Sequence, residues 1–161
     1  MEFRTKVELP AKGPKIQHTD RLMIWGSCFS EHIGNLLAEH KFNCDVNPFG
    51  VLYNPMSIVT SIQCLLKKAL YRTEDLREEQ GGWYSLMHHS TFSSHEAEDC
   101  LQKINQRIAQ GHENLKQADW IIFTWGSSFV YTWKENGEIV GNCHKLPSRL
   151  FERKMVSADE I

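Results

Sequence analysis

No window of the chain approaches the roughly 18 consecutive apolar residues of a membrane helix, so no membrane span is expected. The amino-terminal stretch "EFRTKVELPAKGPK" is charged and lacks the apolar core of a secretory signal. A soluble, cytoplasmic protein is the expectation. There is also no excess of positive charge. Eighteen Lys and Arg stand against 20 Asp and Glu, a formal net charge of -2, and no basic cluster is present to neutralise phosphates, which argues against nucleic acid as a partner. The five cysteines form no C-x-x-C pair. A zinc ribbon or a redox dithiol is therefore not expected, and Cys64 and Cys100 read as small hydrophobes on helices. Cys28, His89, Cys143 and His144 could in principle supply metal ligands, but an adjacent Cys-His pair suits one ion poorly, and no metal or other cofactor is expected. Internal repeats and low-complexity segments are lacking as well.

What is present fits one globular domain. The chain has 161 residues, 41% apolar and 24% charged, enough for a hydrophobic core of its own. "RTKVEL" (residues 4–9) reads as a short edge strand, followed by a loop through Pro14. Leu22–Trp25 is an apolar run stopping at Gly26, the pattern of a buried parallel strand. Ser30 is placed to cap a helix that turns Ile33, Leu36 and Leu37 inward and ends near Lys41. "MSIVTSIQCLLKKAL" supplies a second amphipathic helix, and "SHEAEDCLQKINQRIAQGHENLKQA" a third with Cys100, Leu101, Ile104 and Ile108 toward the core. Between them, "GGWYSLMHHSTFSS" suggests an extended segment or hairpin. "DWIIFTWGSS" repeats the opening pattern of a strand ending at Gly-Ser, and "FVYTWKENGEIVGN" predicts a hairpin turning at Asn136-Gly137. The alternation predicts an α/β architecture around a mostly parallel sheet. "SADEI" places Ser157 and Glu160 at capping-box spacing, as where a helix begins. The expectation is a truncated domain whose further α/β units follow Ile161.

Open α/β sheets gather chemistry at the carboxyl ends of their strands, and two such ends carry Gly-Ser: Gly26-Ser27-Cys28 and Gly126-Ser127-Ser128. Glycine permits the sharp turn and the close approach of a ligand. A thiol or hydroxyl just beyond it sits at a helix start, where the dipole and unpaired N–H groups favour negative charge. The corner thus suits a nucleophile, Cys28 or its neighbour Ser27. The plainer alternative is a tight turn with a helix cap. Within these residues the best base is His144 of "GNCHKLP", with Asn142 and Lys145 beside it to hold a substrate, unless that stretch is only a structural loop. His89 is a further candidate, or a packed, hydrogen-bonded residue.

Four segments in order, "GSCFSEHIG", "NPFGVLYNP", "TWGSSFVYTW" and "GNCHKLP", resemble the GSCFA family from about residue 22 to 161. Ser30 stands where the family name has Ala, and His89-Ser90-Thr91-Phe92 is similar to a further family pattern. The family looks like a distant branch of the SGNH/GDSL hydrolases, which implies a three-layer α/β/α flavodoxin-like fold, here incomplete at the carboxyl end. The resemblance implies that Cys28 occupies the nucleophile position of the first SGNH block. It implies Gly50 as an oxyanion-hole glycine, and Gly126, Ser127 and Ser128 as the third block. There the sequence departs: Ser128 replaces the oxyanion-hole asparagine and Phe129 the aspartate. The Asp-x-x-His block that supplies the base is not evident. The function so implied is an ester hydrolase or acyltransferase on a small-molecule or carbohydrate acyl substrate. A non-catalytic domain binding an anionic or sugar ligand at the same corners is the alternative.

Overall fold

A computed structural model describes residues 13–79 and 81–161. The strand expected at residues 4–9 lies outside the described residues. The first strand, β1 (Arg21–Gly26), buries Leu22, Met23, Ile24 and Trp25 and is the middle strand of a parallel sheet. On one side it pairs with β2 (Asn43–Val46), Ile24 opposite Val46. On the other it pairs with β5 (Trp120–Thr124), Gly26 opposite Thr124. A strand flanked by parallel neighbours and covered on both faces reads as a continuous apolar run, which is why residues 22–25 lack alternation.

Helix α1 (Cys28–Glu39) packs on the face of β1 and β2 that carries Val46, which Gly34 approaches so closely that a side chain there would meet it. The opposite face, with Met23 and Trp25, is covered by α2 (Pro55–Lys67) and α3 (Ala97–Gln117) through Ile58, Leu65, Cys100, Ile104 and Ile108. The Leu and Ile side chains among these contribute about 1.5–3 kcal/mol each when buried. No described helix is long and apolar enough to cross a membrane.

The expected helices are all present, with shifted ends. α1 begins before Ser30: its cap is Ser27, whose Oγ accepts the Phe29 N–H at 3.3 Å. Ser30 instead lies buried in the first turn. α2 starts at Pro55 under an Asn54 cap and stops where Lys68 turns left-handed (φ 49°). "GGWYS" forms β4 (Gly82–Tyr84), antiparallel to β3 (Arg77–Glu79). The predicted carboxyl-terminal hairpin is β6 (Phe129–Trp133) with β7 (Ile139–Val140), turning at Gly137 with φ 74°. On its other side β6 pairs with β8 (Phe151–Met155), so a small antiparallel sheet of order β7-β6-β8 sits beside the parallel one. The Ser157–Glu160 capping box is formed, over a single 3-10 turn.

Candidate functional site

The chain leaves β1 in opposite directions to reach its two partners. β1–α1–β2 runs over one face, while the route through α2 and α3 to β5 runs over the other. The carboxyl ends of β1 and β5 are therefore a topological switch point, where a crevice opens. The two Gly-Ser corners meet there. A Cβ on Gly126 would lie 3.4 Å from the Ser27 Cβ and 3.2 Å from the Tyr53 ring. Gly26 is pressed more closely still against Thr124 and Ser30, with φ 150°.

A cleft of about 670 Å³ opens at this point, within the size range of small-ligand sites. Its lining includes Cys28, Glu31, Tyr53, Asn54, His89 and Ser127, while the β6–β8 sheet adds Phe129, Tyr131, Val140 and Arg153. Asn142 and Cys143 close it. The Cys28 thiol is exposed, on the first residue of α1, so its own N–H belongs to the helix start that has no intrahelical acceptor. Burial raises the pKa of Cys44, Cys64, Cys100 and Cys143, Cys64 to about 11 with Asp75 adding to it.

Of the expected site residues, the cleft gathers Cys28, His89, Ser127 and Asn142, with Ser27 and Gly126 directly behind them. Several amides meant for an oxyanion are otherwise engaged. Gly50 donates its N–H to the Asn47 carbonyl at 2.8 Å, and both Gly126 and Ser127 donate to the Tyr53 carbonyl at 3.0 and 2.9 Å. Gly50 instead has a packing role, with φ 80° and its α-carbon against the His89 side chain. Ser128 does not line the cleft; its carbonyl accepts the Val156 N–H at 3.0 Å.

His144 is also placed elsewhere. Its Nε2 lies 2.9 Å from the Ser85 carbonyl and 3.0 Å from that of His88, so Nε2 carries the proton and donates to both. Burial keeps its pKa below the usual imidazole range. The ring leans on Tyr84 at 4.5 Å, and neither it nor exposed Lys145 lines the cleft. His144 therefore straps the 85–88 loop and is not poised as a base for Cys28. His89 does reach the cleft, but its Nδ1 accepts the Thr91 N–H at 3.3 Å. A neutral His89 then carries its proton on Nε2 and offers a donor.

Residues of the site that pattern reading passed over fall into two groups. Asn47 is buried: its Oδ1 accepts the Gly26 N–H at 2.9 Å, and its own N–H bonds the Ile24 carbonyl at 2.8 Å, fixing the corner. Ser30 donates to the Trp25 carbonyl at 3.1 Å, which leaves the Thr124 hydroxyl to donate to Ser30 at 2.6 Å. The second group, Tyr53, Asn54 and Arg153, lines the cleft itself. Asn54 had a signal in the Asn-Pro start of α2.

No curated protein and no solved structure matches the chain. The model of the GSCFA family matches it over residues 21–161, from the start of β1 through both Gly-Ser corners and the β6–β8 sheet. The chain belongs to the GSCFA family.

Proposed function

We propose that this domain carries an acyl-transfer site of SGNH type, acting as an ester hydrolase or acyltransferase with Cys28 as nucleophile. The observation that carries the reading is an exposed thiol on the first residue of α1, inside a cleft at the switch point of the sheet. The flavodoxin-like fold of the SGNH enzymes is part of this proposal, and helices on both faces of a parallel sheet accord with it. Sγ would attack the acyl carbonyl carbon, forming the C–S bond as the carbonyl electrons move to oxygen. The Cys28 N–H at the helix start and the His89 Nε2–H would hold that oxyanion. Collapse would break the bond to the alcohol, which leaves with the proton released by the thiol. Water, or an acceptor hydroxyl, would then cleave the thioester. A thiol depends least on a neighbouring base among the common nucleophiles, which matters because His144 faces away. Ser27 is the helix cap on this reading, and a small-molecule or carbohydrate ester in a cytoplasmic setting is the substrate class.

One observation favours a second reading. The Gly50, Gly126 and Ser127 amides are satisfied within the protein, which takes these donors from an oxyanion and leaves a cleft that would bind an anionic or sugar ligand through its side chains without breaking a bond. Separate Cys28→Ala and Ser27→Ala variants, assayed on short-chain aryl esters, decide between them. The acyl-transfer reading predicts loss of at least a hundredfold in Cys28→Ala and retention within about tenfold in Ser27→Ala. Activity that survives in Cys28→Ala would remove Cys28 from the chemistry and favour the binding reading.

A further inference from the structure

The cleft is asymmetric in a way that the nucleophile does not explain. Its wall opposite α1 is one face of the β7-β6-β8 sheet, where Phe129, Tyr131 and Arg153 stand together because Tyr131 and Arg153 are directly paired across β6 and β8. The Arg153 guanidinium lies over the Phe129 ring, 3.6 Å from its centroid, and 5.9 Å from that of Tyr131. Stacking of this kind holds the planar cation by its face. The five N–H donors around the guanidinium edge stay available for a planar oxyanion. Glu31, in the first turn of α1, is the acidic residue of the same lining. Further along the same face, Trp133, Phe151 and Val140 pack into a core cluster with Tyr84, against which Tyr131 also rests, so the wall is anchored at that end.

We propose that Arg153, pre-positioned on Phe129 and Tyr131, is a specificity residue that takes an anionic group, a carboxylate or phosphate, on the substrate presented to Cys28. The inference rests on the acyl-transfer reading for its chemistry but not for its binding. The anion stands either on the acyl group or on the alcohol that leaves, and the same guanidinium edge serves both. With the anion held there, the ester carbonyl lies between the sheet wall and the start of α1. A neutral ester gains nothing from Arg153.

The test compares the native chain with Arg153→Gln and Arg153→Lys on three esters: neutral 4-nitrophenyl acetate, mono-4-nitrophenyl succinate with the charge on the acyl side, and 4-acetoxybenzoate with the charge on the alcohol side. Arg153→Gln is expected to lower kcat/KM at least tenfold for one charged ester and to leave the neutral ester within twofold, with Arg153→Lys in between. The ester affected identifies the side that bears the charge. Equal losses on all three, or none on either charged ester, would overturn the assignment. A readout that needs no turnover separates the two claims: protection of Cys28 from iodoacetamide by succinate or benzoate, followed by mass spectrometry. Protection in the native chain and its loss in Arg153→Gln supports the anion subsite even if no ester is cleaved, in which case the acyl-transfer reading alone fails. Absence of protection in the native chain overturns the subsite.

Discussion

Ser27 and Cys28 are adjacent, yet the structure gives them different work. Ser27 Oγ takes the Phe29 N–H and caps α1, while the Cys28 thiol faces the cleft. Losing an N-cap oxygen costs about 1 kcal/mol. Ser27→Ala should therefore lower the unfolding free energy from denaturation by that amount, whereas Cys28→Ala, at an exposed position, should leave it nearly unchanged. Equal destabilisation by both variants would show that Cys28 too is held for packing. Gly50 is a second residue with a definite demand. Its φ of 80° and its contact with His89 leave no room for a side chain, so Gly50→Ala should cost about 1–3 kcal/mol and displace His89. A chemical-denaturation midpoint equal to that of the parent would contradict this. The glycine was legible in "NPFG" as a special position; its reason was not, because His89 comes from another part of the chain.

At the scale of elements, the two strand ends are held together by hydroxyls. Ser30 links the carboxyl end of β1, at the Trp25 carbonyl, to Thr124 of β5, and its motif alone suggested only a helix cap. Ser30→Ala removes the buried hydroxyl that joins the Trp25 carbonyl to half-buried Thr124, at about 1–3 kcal/mol. The loss should appear as a lower urea midpoint with an unchanged slope, and a stability equal to that of the parent would mean the link carries nothing. Ser30 shows why the fold was easier to read than the site. α2 and α3 declare themselves through local periodicity, β1 through its unbroken apolar run, and "ENGE" through turn chemistry. The Asn47–Gly26 bond spans 21 residues and the Ser30–Thr124 bond 94, and no pattern within a window carries such pairings. Helix α1 was legible as a helix, but its start was displaced because Ser27 and Ser30 both fit a cap, and only their burial distinguishes them.

For the whole molecule, buried His88 and half-buried Cys64 set a pH window. His88 is stacked on Phe49 at 4.2 Å and buried, and desolvation, with some help from His144, lowers its pKa from 6.5 to about 3. The unfolded chain binds that proton below pH 6.5 and the native one does not, so stability falls as pH drops from 6.5 toward 3. Cys64 acts with the opposite sign: its pKa rises from 9.0 to about 11, and stability falls as pH climbs through that range. Denaturation midpoints should form a plateau between about pH 6.5 and 9, and His88→Phe, if it folds, should flatten the acid limb. An acid limb of unchanged slope in that variant would assign it to carboxylates. His144 reads in the sequence as the best base; its bonds to the Ser85 and His88 carbonyls, beside buried His88, make it a support of the 85–88 loop instead. The central claim concerns the cleft's mouth, and trapping the covalent intermediate tests it most directly. After brief exposure of the chain to 4-nitrophenyl acetate and an acid quench, mass spectrometry should find one acetyl group, on the peptide that begins α1, and none in Cys28→Ala. Label spread over the other cysteines or lysines, or retained in Cys28→Ala, would contradict the account.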